Sequence, residues 1–292
     1  MKSPIHKPFK LLMLLLVMLA IQQPALAQKK AKPPKWDYLV TIKTDSGTMK
    51  AILFDETPKH KENFIKLAQE GFYDSVLFHR VIEDFMIQTG DPNSKNAEKG
   101  VPLGNGGPGY KIDAEFVPKY FHQKGVLAAA RQNDQVNPEK QSSGSQFYIV
   151  QGEVTDAEKL AEISPQVARR CFQALGREHA IMKELIPLFS QSKDVVDEKI
   201  MEFKDEIFEE TGIHIVMPEE RVQAYSTVGG TPHLDEQYTV FGRVISGLEV
   251  IDKIASVKTD GRDRPVEDSR IYVSVEKIKR KKLIKTYGNL YD

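Results

Sequence analysis

Residues 78–92 read FHRVIEDFMIQTGDP, a run with six apolar side chains, one arginine, one glutamine and a turn at its end. The run has no serine or cysteine that could act as a nucleophile. If the run belongs to an active site, the question is which reaction would need only a cation, an amide and apolar side chains. The stretches SVLFHRVI (75–82) and FMIQTG (85–90) are rich in β-branched and aromatic residues, and they predict two short strands.

Further short strands are predicted on both sides of this run. YLVTIKT (38–44) and TMKAILF (48–54) alternate apolar and polar residues around the turn Asp45-Ser46-Gly47, which predicts a hairpin. Four later segments have the same character: GVLAAA (125–130), SQFYIVQ (145–151), YTVFGRVI (238–245) and IYVSVEKIKR (271–280).

Two helices are predicted beside these strands. TPKHKENFIKLAQEGFY (57–73) has Thr57 as a candidate N-cap, Pro58 at the first helical position and Gly71 as a stop. GLEVIDKIA (247–255) is the second helix. Many short strands, turn-rich connections and two flanking helices predict a mainly β protein built as a closed barrel.

Residues 153–225 differ from the rest, because they are highly charged and have helical periodicity. Thr155-Asp156-Ala157-Glu158 is a candidate capping box. One apolar face repeats at spacings of four, three and four residues: Val196, Ile200, Phe203 and Ile207. We interpret this stretch as a helical insertion in a β domain, whose apolar faces must be buried against each other, the barrel or a partner.

The N-terminus has the features of a secretory signal peptide. A lysine-rich start precedes the apolar core LLMLLLVMLAI (11–21) and the A-x-A cleavage site ALA (25–27). We therefore predict a signal peptide over residues 1–27 and a linker over 28–36, and the alternative is an uncleaved N-terminal anchor. Export to a bacterial periplasm is expected, with a eukaryotic secretory pathway as the alternative.

The composition narrows the classes of function and partner. The formal net charge of zero argues against a strongly basic nucleic-acid surface. KIKRKK (277–282) is interpreted as a solvated strand end, because no aromatic residues are interleaved with its charges. Cys171 is the only cysteine, so no internal disulfide can form, and we favour a buried small hydrophobe over an exposed redox site.

Other motifs carry little chemistry. GNGGPG (104–109) matches a dinucleotide-binding pattern, but Pro108 interrupts it and no strand and helix flank it, so we interpret it as a glycine turn. No cofactor is expected. A metal site is not expected either, because four histidines lack the spacing of metal ligands: His79, His122, His214 and His233.

Five segments, taken in order, resemble the cyclophilin family of peptidyl-prolyl cis/trans isomerases. They are FHRVIEDFMIQTGDP (78–92), GNGGPGY (104–110), GVLAAAR (125–131), SSGSQFYI (142–149) and GGTPHLDEQYTVFGRVISGLEVIDKI (229–254). The resemblance covers residues 37–152 and 226–280. It implies an eight-stranded antiparallel barrel capped by two helices over residues 37–280, with 153–225 inserted and 281–292 as a C-terminal tail.

The resemblance implies a reaction that fits the residues of the opening run. Rotation about a peptide bond has a barrier of about 18–20 kcal/mol, because resonance is lost. Both isomers of an Xaa-Pro bond are populated, and no covalent bond has to be made or broken. The enzyme must bind the twisted imide more tightly than either planar form. A guanidinium can do so by donating a hydrogen bond to the proline nitrogen, whose lone pair localises in the twisted state.

By this resemblance, Arg80 is the catalytic cation. Four side chains would line the proline pocket: Phe85, Met86, Tyr148 and Leu234. Six others would hold the peptide: Gln88 and Gln146 at its backbone, Ala130 and Arg131 along its groove, and His233 and Tyr238 at its wall. Without the resemblance, the pattern alone favours plain core for the apolar residues and a surface ion pair for Arg80. His79 is interpreted as a packed strand residue outside the site.

Four positions depart from the well-known eukaryotic members of that family. Those members have Trp at the position of His233, His at Tyr238, Asn at Arg131 and Phe at Tyr148. Because lack of that Trp accompanies weak cyclosporin binding in the family, weak cyclosporin binding is expected here. Tyr238 retains an aromatic wall and a hydroxyl, and Arg131 would shift the sequence preference beside the proline.

Two functions from different classes follow. The first is an exported isomerase that acts on proline-containing unfolded or folding polypeptides, without nucleic acid and without a stable membrane span after signal removal. The alternative is a chaperone or interaction module that binds clients through residues 153–225 with little isomerase activity. The insertion would also be placed to form a wall or lid over the peptide groove.

Overall fold

The computed structural model describes residues 33–288, 290 and 291. The predicted signal peptide (1–27) lies outside the described residues, as does most of the predicted linker (28–36). The described residues from Trp36 onward belong to one structural unit, which holds both the sheet and the predicted insertion.

Nine strands form one antiparallel sheet in the order β3-β11-β1-β2-β10-β7-β9-β5-β4, and β6 pairs with β8 separately. The strands are β1 (Trp36–Thr44), β2 (Gly47–Leu53), β3 (Val76–Leu77), β4 (Arg80–Ile82), β5 (Met86–Thr89), β6 (Lys111–Ile112), β7 (Val126–Ala129), β8 (Ser142–Ser143), β9 (Phe147–Val150), β10 (Val240–Ser246) and β11 (Arg270–Lys279). The mainly β fold predicted from the sequence is confirmed.

The sheet curls into a half-barrel, so the predicted closed, eight-stranded barrel needs correction in strand number and closure. Its edge strands β3 and β4 are not hydrogen-bonded to each other within the described residues. The stretch predicted as one strand changes partner between them, because Phe78 N donates to Ser269 O and His79 N donates to Gln88 O. The two edges are thus linked through the chain at Phe78 and His79.

Two helices pack their apolar faces on one side of the sheet, as the sequence predicts. They are α1 (Pro58–Gln69) and α7 (Glu249–Ala255), and they bury Phe64 and Ile251 in the same core as the strands. Thr57 occupies the N-cap position of α1, but its hydroxyl donates to Phe54 O instead of capping the helix.

The insertion is helical, as predicted. It contains α2 (Ala157–Ala161), α3 (Pro165–Leu175), α4 (Ala180–Leu185), α5 (Lys193–Thr211) and α6 (Glu219–Thr227). Its helices α3 to α5 bury a separate apolar core around Cys171 and Leu185, so their apolar faces mainly cover each other. Asp156, rather than Thr155, caps α2, because its carboxylate accepts from the backbone N–H groups of Glu158 and Lys159.

The two ends of the insertion meet at a pair of glycines. Gly230 N donates to Glu153 O at 3.1 Å, and Gly152 lies against the backbone of Gly230 so closely that an added Cβ would overlap it. Gly152 has a φ of +61°, which favours glycine. The insertion therefore leaves and re-enters the sheet domain at one place.

The stretch predicted as a C-terminal tail includes a helix, α8 (Arg280–Tyr287). The buried carboxylate of Asp37 on β1 accepts from Arg280 Nη2 at 3.1 Å, Lys61 Nζ at 2.7 Å and the Tyr291 hydroxyl at 2.8 Å. The carboxylate is thus paired with cations and hydrogen-bonded, which anchors the end of the chain to the sheet.

Candidate active site

Three neighbouring strands bring polar and aromatic side chains to one face of the sheet. Arg80 on β4 pairs with Gln88 on β5, and Gln88 pairs with Tyr148 on β9. Directly opposed residues in antiparallel strands project to the same face. The register therefore places the guanidinium, the amide and the phenol in one row across the sheet.

A cavity of about 100 Å³ lies on this face. Nine of the eleven predicted site residues line it: Arg80, Phe85, Met86, Gln88, Ala130, Arg131, Tyr148, Leu234 and Tyr238. Several of them pack in an apolar cluster that is separate from the core under α1, including Met86, Tyr148 and Leu234. The structure thus joins residues that lie as far apart in the sequence as Arg80 and Tyr238.

The two arginines of the cavity have different surroundings. Arg80 is 43% exposed and makes only long contacts, with Nη1 3.5 Å from Gln88 Oε1 and Nε 3.5 Å from Asp263 Oδ2. The side chain of Arg131 is buried, and its Nε donates to Gln237 O at 2.8 Å while Cζ lies 4.6 Å from the centre of the Tyr238 ring. Arg80 therefore has donors to offer a ligand, whereas Arg131 holds the wall of the cavity in place.

Gln146 does not line the cavity but contacts Gln88, which does. Gln88 Nε2 donates to Gln146 Oε1 at 3.2 Å, and Gln146 Nε2 donates to the carbonyls of Gly104 and Gly106 at 2.9 and 2.7 Å. The buried amide of Gln146 is therefore satisfied by the glycine turn, which sets its orientation. This contact gives residues 104–109 a structural role, consistent with their interpretation as a turn.

The two histidines near the cavity are held differently. His233 stacks on Phe85 with ring centres 5.6 Å apart, so it stands behind the wall rather than in the lining. His79 is buried, as expected for a packed strand residue. Burial lowers the pKa of both imidazoles. A lowered pKa favours the neutral forms at pH 7.

A buried polar network behind the cavity was not predicted. The Tyr148 hydroxyl lies 3.0 Å from His122 Nε2, and His122 Nδ1 lies 3.0 Å from Asp235 Oδ1. Burial raises the pKa of the Asp235 carboxyl, but the hydrogen bond from His122 and the charge of Arg221 outweigh it, so the pKa is lowered. His122 and Asp235 are 113 residues apart, and no local pattern pairs them.

The insertion takes part in this network through α6. Arg221 Nη1 lies 3.0 Å from Asp235 Oδ2 and 2.6 Å from Glu236 Oε1, and the Tyr225 hydroxyl lies 2.9 Å from both Asp235 oxygens. These contacts fix the loop that carries His233, Leu234 and Tyr238. The insertion thus supports one wall of the cavity from behind.

Other kinds of site find little support in the described part of the chain. No group of three or more His, Cys, Asp or Glu side chains there is arranged to hold a metal ion. Within those residues, no helix combines the length and apolar composition that a membrane crossing needs. Cys171 is buried in the insertion, and burial raises the pKa of its thiol to about 11, so it behaves as a small apolar residue.

Comparison with known proteins identifies the family. Residues 39–170 and 189–275 match the sequence profile described as "Cyclophilin type peptidyl-prolyl cis-trans isomerase/CLD". The unmatched residues 171–188 lie within the helical insertion. The chain therefore belongs to the cyclophilin-type peptidyl-prolyl cis/trans isomerase family, and the class of enzyme predicted from the sequence is confirmed.

Two sequence relatives agree with this assignment, and one solved structure is reported beside them. A protein of Staphylococcus epidermidis, provisionally named a peptidyl-prolyl cis-trans isomerase, is 31% identical over 78% of this chain and 86% of its own length. One from Streptococcus pyogenes serotype M6, provisionally named a bifunctional phosphatase/peptidyl-prolyl cis-trans isomerase, is 31% identical over 86% of this chain, which spans only 43% of that protein. A crystal structure of a Cryptosporidium parvum cyclophilin type isomerase is 20% identical, with a TM-score of 0.48 over 82% of this chain and 98% of that one.

Proposed function

We propose that this protein accelerates rotation about Xaa-Pro bonds in exported, folding polypeptides. The observation that carries the proposal is the position of Arg80, a half-exposed guanidinium that lines a small, partly apolar cavity. The phenyl ring of Phe85 and the side chains of Met86 and Leu234 give the cavity an apolar lining suited to a proline ring.

The mechanism follows from charge and shape. The proline ring enters the cavity, and the acyl group before it rotates outside. As the imide twists, the lone pair of the proline nitrogen localises and accepts a hydrogen bond from Arg80, more strongly than the planar imide would. Gln88 lies 3.5 Å from Arg80 and is tethered to Gln146, so it can orient the guanidinium and hold the substrate backbone. Catalysis then comes from tighter binding of the twisted state.

Export of the enzyme and its clients is part of the proposal, with a bacterial periplasm as the compartment. It is supported by the lysine-rich start, the apolar core at 11–21 and the cleavage motif at 25–27. Expression of the full chain followed by N-terminal sequencing of the exported protein tests it. A mature N-terminus at Gln28 is expected, and a retained N-terminus supports an anchor instead.

Weak cyclosporin binding is proposed for the same site. His233 stands where well-known eukaryotic relatives have Trp, and its imidazole is engaged in a stack with Phe85. Titration with cyclosporin should give weak affinity for the wild type and tighter binding for His233→Trp. Tight binding by the wild-type protein contradicts this expectation.

The second candidate is a chaperone or interaction module, with the insertion as its binding surface. It is favoured by five large apolar side chains that are exposed on the insertion: Val154, Ile186, Phe189, Val195 and Met201. Suppression of client aggregation that survives Arg80→Ala but is lost in Phe189→Ser would support it.

A cis-to-trans assay on a short Xaa-Pro peptide tests the isomerase directly. We compare the protein starting at Gln28 with Arg80→Ala and with Arg177→Ala, which removes an exposed arginine of the insertion. Arg80→Ala should lose about 10²–10³ in kcat/KM, the usual effect of removing one transition-state donor. Activity in none of the proteins, or equal activity in all three, overturns the proposal.

A further inference from the structure

A second and larger cavity lies beside the proline cavity. It has a volume of about 430 Å³ and is bounded by the insertion on one side and the loop from Gly230 to Glu236 on the other. Phe85 lines both cavities, and its stacking partner His233 lines the larger one. Phe85 is thus a wall common to both cavities, and His233 is stacked on it and lines only the larger one. The volume is within the range of about 300–1,000 Å³ that ligand sites have.

The lining combines apolar side chains with polar groups that are not fully paired. Leu160, Val167, Ile215 and Met217 contribute apolar surface from the insertion. Thr231 is 3% exposed, and its hydroxyl has no hydrogen-bond partner among the described residues. Nε of Arg170 is also buried without a partner there, although its Nη1 donates to Asp235 O.

Buried polar groups are normally hydrogen-bonded, so these two need an explanation. The Thr231 hydroxyl belongs to the sheet domain and can donate or accept, whereas Nε of Arg170 belongs to the insertion and can only donate. A peptide backbone offers both a carbonyl and an N–H group at each residue, and it can pair with both walls at once. An apolar side chain on the same peptide would cover the apolar lining.

We propose that this cavity is a second subsite, which binds an apolar residue of the client polypeptide a few positions from the proline. The inference rests on the proposed isomerase function, because it places the proline of the same polypeptide in the small cavity. The chain crosses the wall at Phe85 in an extended conformation, advancing about 3.3 Å per residue. The insertion thereby selects the sequence around the proline as well as supporting the catalytic cavity.

The subsite predicts that the enzyme distinguishes long substrates from short ones. Binding of remote residues improves the rate only when the substrate carries those residues. A peptide with one residue on each side of the proline should therefore be a poorer substrate than one with four residues on each side, including leucines. An apolar contact of this kind is worth roughly tenfold or more in kcat/KM.

Two variants of the same type locate the effect. Val167→Phe fills the cavity from α3, whereas Val195→Phe adds the same volume at an exposed position of α5. The ratio of kcat/KM for the long and short peptides should be about ten in the wild type, fall towards one in Val167→Phe and stay at the wild-type value in Val195→Phe. Thr231→Val, which keeps the shape and removes the hydroxyl, should lower the ratio several-fold. Circular dichroism and thermal unfolding verify that each variant is folded.

The outcomes separate this inference from the function on which it rests. Equal kcat/KM for both peptides in the wild type, or equal ratios in Val167→Phe and Val195→Phe, overturns the subsite and leaves the isomerase standing. Absence of catalysis on both peptides overturns the isomerase. Fluorescence anisotropy of the labelled long peptide then decides the subsite: binding that is lost in Val167→Phe upholds it, and binding that is absent or unchanged overturns it.

Discussion

Arg221 Nη1 lies 3.0 Å from Asp235 Oδ2, and both side chains are buried. This ion pair connects helix α6 of the insertion to the loop that carries Leu234. Removing residues 153–225 would delete both Arg221 and the Tyr225 hydroxyl, which contact the Asp235 carboxylate, and breaking a buried pair in this way is destabilising. Point variants therefore separate the roles of the insertion better than its deletion does.

The first prediction concerns this ion pair. Arg221→Met should lower the free energy of unfolding by about 3–5 kcal/mol, because it removes the cation that is paired with the buried Asp235 carboxylate. Urea unfolding measures the change, and Arg169→Met on the exposed face of α3 is the matched control. Combining Arg221→Met with Asp235→Asn should recover part of the loss. A single variant as stable as the control would show that the pair is not needed.

The second prediction separates structure from catalysis at Tyr148. Tyr148→Phe keeps the apolar ring in the cavity but removes the hydroxyl that lies 3.0 Å from His122 Nε2. The buried imidazole would lose a partner, which costs about 1–3 kcal/mol. The free energy of unfolding should therefore decrease, while kcat/KM on a short Xaa-Pro peptide changes less than threefold. A large loss of activity without a change in stability would mean that the hydroxyl contacts substrate.

The sequence was most informative where local pattern decides the structure. Alternation defined the hairpin at 38–54, and helical periodicity defined the insertion faces around Ile200 and Ile207. The family motifs, rather than pattern, grouped Arg80 with Leu234 and Tyr238 around one cavity.

The features that the sequence did not predict depend on contacts between distant residues or on competition between neighbouring residues. The pairing of His122 with Asp235 arises from the folded loop alone. Thr155 and Asp156 both suit an N-cap, and only the observed backbone shows that Asp156 is used. The strand predicted at 75–82 forms two strands, β3 and β4, in the structure. It is divided because its hydrogen-bonding partner changes midway, which no local propensity encodes.

The third prediction concerns pH. Burial, followed by the charge of Arg221, lowers the pKa of His214 to about 4, whereas the charge of Asp235 opposes the shift. The unfolded imidazole has a pKa of about 6.5. As the pH falls from 6.5 towards 4, the unfolded chain takes up a proton that the folded chain does not, so stability decreases with falling pH.

His214→Phe should reduce that decrease, because phenylalanine retains the stack on Phe208, whose ring centre lies 4.0 Å away, and does not titrate. Urea midpoints at pH 7.5 and 5.0 for wild type and variant measure the difference. Burial also lowers the pKa of His60, His79 and His233. Some decrease should therefore remain in the variant. Equal decreases in the two proteins would mean that His214 titrates normally in the folded state.

The last prediction concerns the place where the insertion joins the sheet domain. Gly152 and Gly212 both have positive φ, +61° and +68°, but their surroundings differ. An added Cβ at Gly152 would overlap the backbone of Gly230, whereas at Gly212 it would meet no atom of the described chain within 4 Å. The free energy of unfolding of Gly212→Ala should therefore fall by only about 1–2 kcal/mol, the cost of a left-handed conformation for alanine.

Gly152→Ala should lower the free energy of unfolding more than Gly212→Ala does, because its backbone must also move away from Gly230. That movement would disturb the hydrogen bond from Gly230 N to Glu153 O and, beyond it, the loop that carries Leu234. Urea unfolding of the two variants gives the difference in stability, and the short-peptide assay should show reduced kcat/KM for Gly152→Ala alone. Equal losses of stability in the two variants would mean that the backbone at Gly152 and Gly230 can move at little cost. The position of the cavity wall would then depend on Arg221 rather than on the glycine pair.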